Sequence, residues 1–308
     1  MKKPVSILIM LVINTILIYS QTKIKDILDL KGSYIGQNPP GSTPEVFAPG
    51  IVSTPDYLEI GCTWSPDGKE FYFVRQTDIG GLLLCSSCEE SGWTQPKEIE
   101  HFNKYPGYEP FITTDGTKFF YTRFIPPPEY DNLPDDISEQ VKQSRMINIW
   151  VMEKEGLNFN EPEFCIPGMF CSVAANGNIY TTDVVDKPDR ICRYILKNGK
   201  YGKKEYLSGG VNSPIPGAHP CIAPDESFII FDSKRKENLE DADLYVCFKN
   251  DDGNWSEAYN LGDSINTKWN DICPSLSPDG KYLFYMSKAD IYWVSAEIIE
   301  KLKPGELK

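Results

Sequence analysis

Glu59, Glu109, His219 and Asp271 each stand just ahead of a short strand-forming run, and Arg75, Arg123, Arg235 and Lys288 each stand just behind the run that follows. Acids and bases at matched positions can grip a polar ligand. Alternatively, two of the carboxylates can share the work of glycoside hydrolysis, which needs them roughly 5 to 9.5 Å apart across the scissile bond. Acids that recur with the repeat, rather than in a unique insertion, also suit structural ion pairs between neighbouring sheets. Tyr105, Tyr108 and Trp269 lie close to these residues in sequence and offer flat faces for stacking on a sugar or peptide. No Gly-x-Ser-x-Gly nucleophile elbow occurs.

Metal and redox chemistry find little material. The chain has 2 histidines, His101 and His219, and 9 cysteines. The Cys-x-x-Cys of Cys85 and Cys88 has no second pair with which to build a zinc site. It ends the run Leu82 to Leu84 rather than opening a helix, so it reads as a local disulfide or as two plain thiols, not as a redox motif. Cys62, Cys171, Cys221 and Cys273 read as small packing residues. No cofactor and no metal are expected.

The elements that must position these residues come from internal repetition. Five segments share a hairpin signature with turn residues Asp67, Asp115, Asn176, Asp225 and Asp279, at intervals of 48, 61, 49 and 54 residues. Asp-Gly or Asn-Gly supplies the positive φ angles of a tight hairpin, and the aromatic and β-branched runs around it form strands. A third apolar run follows each hairpin. A fourth, opened by an aromatic as at Trp93 and Trp255, completes a four-stranded blade. The last unit lacks its fourth strand, whereas Pro44 to Val52 is a spare one at the other end of the chain. Joining them closes a ring and protects an exposed sheet edge.

The expected fold is therefore an all-β, five-bladed β-propeller of four-stranded antiparallel blades over residues 44 to 296. A six-bladed ring is the alternative that the 61-residue interval leaves open. Residues 21 to 43 read as an N-terminal linker and 297 to 308 as a helical tail. Ser65-Pro66-Asp67-Gly68-Lys69 and Ser277-Pro278-Asp279-Gly280-Lys281 resemble the WD40-like (PD40) repeats of TolB-type propellers. Asp243-Leu244-Tyr245-Val246 and Asp290-Ile291-Tyr292-Trp293-Val294 are similar to the form found in exported Bacteroidetes proteins. The resemblance implies the fold and leaves the function open, because one fold hosts many functions. Metal-dependent lyases and serine peptidases carry related propellers, yet the former need several histidines and the latter a further α/β domain.

Lys2 and Lys3, the apolar stretch Val5 to Tyr19 and the exit at Ser20 have the form of a secretory signal peptide over residues 1 to 20, with an uncleaved anchor as the alternative. The expected location is periplasmic or secreted, with no membrane insertion after cleavage. The formal net charge of −13 disfavours nucleic acid as a partner. In a propeller, the residues before strand one and after strand two meet on one face, which also receives the long insertion from Phe124 to Met146, with a short helix expected near Asp135 to Gln143. The expectation is a non-catalytic protein that binds a peptide, protein or glycan there, with a glycoside hydrolase-like enzyme as the alternative.

Overall fold

The computed structural model describes residues 30–78, 80–125, 146–213, 216–234 and 241–305. The expected signal peptide, the first part of the expected linker, the helix expected near Asp135 to Gln143, and Arg235 lie outside the described residues. The chain is a five-bladed β-propeller. Blade I is built on Leu58–Trp64, Glu70–Thr77, Gly80–Glu89 and Lys97–Glu98. Blade II uses Tyr108–Ile112, Lys118–Phe124, Ile147–Glu155 and Glu163–Pro167. Blade III uses Met169–Val173, Ile179–Asp183, Arg190–Tyr194 and Glu205–Tyr206. Gly217–Ile222, Phe228–Lys234, Ala242–Phe248 and Tyr259–Asn260 form blade IV. Asp271–Leu276, Tyr282–Ser287 and Asp290–Ser295 form blade V together with the early strand Glu45–Val46.

That early strand closes the ring. Glu45 lies opposite Trp293 and Val46 opposite Tyr292, and Phe47 N–H donates to Ile291 O at 2.8 Å. The fully buried Phe47 ring then packs on Trp64 and Phe71 of blade I and on Phe284 and Trp293 of blade V. Among the described residues the 61-residue interval adds no sixth blade: Lys118–Phe124 pairs directly with Ile147–Glu155, and the extra length lies in the sequence between them.

Alternation along each strand sends side chains to two seams at once. Phe71 and Phe73 enter the core shared with blade V, while Tyr72 and Val74 enter the core shared with blade II. The five described apolar cores correspond to the five seams between blades. Stability thus depends on blade-to-blade packing. The approach segment contributes too: Trp93 N–H and its indole Nε1 donate to Leu30 O and Gly32 O, and Tyr34 sits against Trp64, Tyr282 and Trp293.

The repeated turns hold themselves by side chains. Ser65 Oγ donates to Asp67 Oδ1 at 2.6 Å while Asp67 accepts from Lys69 N–H, and Ser277 with Asp279 and Thr113 with Asp115 repeat the arrangement. Blade IV departs from it. Glu226 occupies the glycine position at φ 60, and its carboxylate accepts from Asn178 at 2.8 Å, Tyr180 at 2.9 Å and Lys249 at 2.8 Å. The first two partners belong to blade III, so the exception to the turn rule ties two blades together.

Candidate functional site

Every inner strand breaks its ladder with a bulge at the same place, and the bulged residue has a positive φ: Gly61, Glu109, Phe170, His219 and Cys273, at φ between 47 and 57. Each lies six residues before the turn residue of its unit. Pro110, Pro220 and Pro274 follow three of them and have no N–H to give the ladder, which favours the break. A left-handed conformation is free for Gly61. It costs a non-glycine residue of order 1–3 kcal/mol, and such strain concentrates where function needs it.

Bulging re-aims the side chains and leaves each bulge N–H without its ladder partner. The preceding blade supplies the acceptor at three junctions. Phe170 N–H reaches Thr122 Oγ1 at 3.1 Å, His219 N–H reaches Thr182 Oγ1 at 2.9 Å, and Cys273 N–H reaches Asp232 Oδ2 at 3.3 Å. Asp232 therefore takes the place that threonine holds in blades II and III, and it does more there. Its Oδ2 lies 2.7 Å from His219 Nδ1, which turns Nε2 toward Glu109 Oε1 at 4.0 Å. Glu109 Oε2 accepts from Thr122 Oγ1 at 2.7 Å and Phe170 N–H at 2.8 Å, leaving Oε1 to face the imidazole.

Burial alone would lower the His219 pKa, but the Asp232 and Glu109 carboxylates more than offset it and hold the imidazole up to about 9. Burial pushes Glu109 above the usual carboxylate range, opposed by His219 and its hydrogen-bond donors. The result is an imidazolium anchored by one carboxylate and facing another across a gap longer than a hydrogen bond. Side-chain exposure of 15% for His219 and 10% for Glu109 leaves both within reach from the channel.

The other expected residues divide among several roles. Glu59 and Asp271 share a position two residues before the bulge, where Gly107, Gly168 and Gly217 stand in the other blades. The four acidic and histidine positions therefore do not form one ring. Glu59 is fully buried and holds Arg75 Nε at 3.1 Å and Thr54 Oγ1 at 2.9 Å, and Arg75 also donates to Val52 O. Asp271, equally buried, accepts from Thr267 N–H at 2.6 Å. Burial pushes both carboxylates up. Lys288 is exposed in the turn between the second and third strands of blade V, its Nζ 5.9 Å from the Tyr292 ring. Tyr108 packs between blades I and II, its hydroxyl accepting from Gly81 N–H. Trp269 is 47% exposed beside Lys268. Arg123 and Tyr105 turn away from the channel, with the Arg123 Cζ 5.3 Å from the Tyr105 ring.

Below the bulges the channel changes character. A cavity of about 230 Å³ runs toward the hairpin turns between Trp64, Phe111, Phe170, Val173, Ile222 and Leu276. Charged chemistry is thus confined to the loop-bearing end. None of the nine cysteines is in a disulfide. Cys85 and Cys88 lie on one strand, three residues apart, where extended backbone holds their Cα atoms beyond bridging distance. Cys273 reaches the site, but burial beside Glu109 and Asp232 holds its thiol well above the ordinary range, so it is a poor nucleophile. Among the described residues, no cluster of metal-ligating side chains forms and no helix is long and apolar enough to cross a membrane.

Asp232 is the residue that sequence reasoning missed. It stands two residues before the end of the second strand of its unit, Phe228–Lys234, and its signal was threonine at the corresponding places in blades II and III.

Neither a family model nor a curated protein matches the chain. Among solved structures it is similar to TolB from Acinetobacter baumannii, at 14% identity and a TM-score of 0.46, covering 78% of this chain and 55% of that one. It is also similar to a gluconolactonase from Xanthomonas campestris, at 10% identity and a TM-score of 0.44, over 85% of this chain and 98% of that one. The structure of a nidogen/laminin complex gives 12% identity and a TM-score of 0.44 over 80% of each chain. The chain spans little more than half the length of the TolB it resembles. At these values the likeness bears on neither ligand nor reaction.

Proposed function

We propose that this protein is an exported, non-catalytic binding propeller that holds a neutral, hydrogen-bonding ligand, a peptide, protein or glycan, at the loop-bearing mouth of its channel. The observation that carries this reading is the 4.0 Å separation of Glu109 Oε1 and His219 Nε2. A ligand hydroxyl or amide has both a donor for the carboxylate and an acceptor for the imidazolium, so it can bridge the two. Strained backbone and the Asp232 anchor pre-organise the pair. The hydrolase alternative has less support, because Glu59 and Asp271 are enclosed and Glu109 and Asp232 address the same imidazole.

Purified mature protein is to be screened on glycan and peptide arrays, with hits measured by calorimetry and assayed for turnover. The expected result is binding without turnover, weakened about tenfold or more in Glu109→Gln and in His219→Gln with folding intact, since each change removes a charge-assisted hydrogen bond. Binding indifferent to both changes, or turnover of the hit lost in Glu109→Gln, overturns the proposal.

A further inference from the structure

A second polar cradle lies at the seam of blades I and II. Thr122 and Arg123 are neighbours on one strand, so their side chains leave on opposite faces. Thr122 turns to Glu109, whereas the Arg123 Cζ lies 4.8 Å from the Trp150 ring, 5.3 Å from Tyr105 and 6.0 Å from Tyr121. Arg123 is only 7% exposed. Among the described residues its Nε has no hydrogen-bond partner, and the same is true of three buried atoms in its neighbourhood, the Tyr121 hydroxyl, Trp150 Nε1 and His101 Nε2. Tyr121 and Trp150 are opposite each other in the ladder, and the His101 ring lies 5.0 Å from Tyr105.

Three of the four atoms can offer a proton: arginine Nε and tryptophan Nε1 only donate, and the tyrosine hydroxyl has a proton to give, while His101 Nε2 donates or accepts with its tautomer. Arg123 makes no ion pair among the described residues, and Glu161, the acid of this neighbourhood, is engaged by the Tyr105 hydroxyl and Lys104. A buried guanidinium without a counter-charge is strongly disfavoured unless something completes it. Consistently, burial lowers the Arg123 pKa from its ordinary value.

We infer that this cradle is a carboxylate-binding site, separate from the Glu109 and His219 pair. A carboxylate is planar and only accepts, its two oxygens match the edge of a guanidinium, and the aromatic walls keep the contact dry. A dianionic phosphate would bring a second charge, and the other cation of this neighbourhood, Lys104, is already paired with Glu161. The group can arrive on a free small organic acid or on the C-terminus of a peptide.

The test uses the full 15N-labelled chain at constant ionic strength. It is titrated with sodium acetate, acetamide, sodium phosphate, and one short peptide carrying either a free or an amidated C-terminus. The readout is the Trp150 indole Nε1–H resonance, assigned by Trp150→Phe. The expected result is a saturable shift with acetate and none with acetamide, with affinity reduced about tenfold or more in Arg123→Gln. A free C-terminus that binds about tenfold tighter than acetate, with the amidated peptide silent, assigns the peptide source, and equal affinities assign the free acid. No shift with either carboxylate, an equal response to acetamide, or tighter binding of phosphate overturns the inference. The contrast between acetate and acetamide is read on the unmutated chain, so the outcome does not depend on whether Arg123→Gln folds.

Discussion

His219 has two tasks in this fold, fixing the blade IV bulge and carrying a charge between two acids, and the second makes stability depend on pH. Its pKa is 6.5 when unconstrained and about 9 in the folded protein. Below 6.5 it is protonated in both states and the attraction of Asp232 and Glu109 contributes in full. As pH rises through 9, the folded state loses the proton and the contribution disappears, a change of up to about 3 kcal/mol. Burial of Glu109 acts in the same direction, since a raised carboxylate pKa also favours the folded state at low pH. Urea unfolding should therefore show the wild type losing its advantage over His219→Gln between pH 6.5 and 9. An advantage that is flat or that grows across this range contradicts the assignment. Glu109 and His219 were legible in the sequence because they stand just ahead of strand-forming runs, although the strands Tyr108–Ile112 and Gly217–Ile222 take them in. Their register was not: the bulge is counted back from the turn residue, and counting from the strand start placed Glu59 and Asp271 in the same ring. Asp232 was hidden because an acid near a strand end looks ordinary until the backbone N–H that it accepts from the next blade is known.

The strands themselves were readable because turn chemistry and period-2 alternation are local properties. Closure by Pro44 to Val52 was readable too, since a strand inventory with one gap and one spare has a single tidy solution. The seams were harder, because they join residues of different repeats. Glu226 is the clearest case: in sequence it weakens the turn signal of unit four, whereas in the structure it accepts three side-chain hydrogen bonds, two of them from blade III. Those bonds hold its carboxylate down at about 2, against burial. Restoring the repeat with Glu226→Gly relieves the positive φ but leaves Tyr180 and Lys249 without their acceptor. The expected outcome is a net loss of about 1–3 kcal/mol in chemical denaturation, because hydrogen bonds to a charged group outweigh a relieved turn. A variant more stable than the wild type would show that the seam does not depend on this residue.

At the scale of the whole molecule, the question is what holds a nine-cysteine chain together without bridges. The five inter-blade cores and the closing strand answer it, since a closed ring has no loose terminal blade to staple. Seven of the thiols are buried, namely Cys62, Cys85, Cys171, Cys192, Cys221, Cys247 and Cys273. Burial holds Cys62, Cys192, Cys221 and Cys247 protonated, up to about 12, and raises Cys85 to about 11, so oxidation or alkylation is slow as long as the cores stay closed. Cys88 and Cys165 are partly exposed, but burial raises the Cys165 thiol to about 12 as well. Brief treatment of the folded protein with iodoacetamide should therefore modify Cys88 first, with the other eight labelled only after unfolding. Dithiothreitol should leave the melting temperature unchanged. Rapid native labelling of Cys221 or Cys247 would mean that the core between its blades opens readily, and a reductant-sensitive melting temperature would mean that covalent bridges, rather than closure of the ring, sustain the fold.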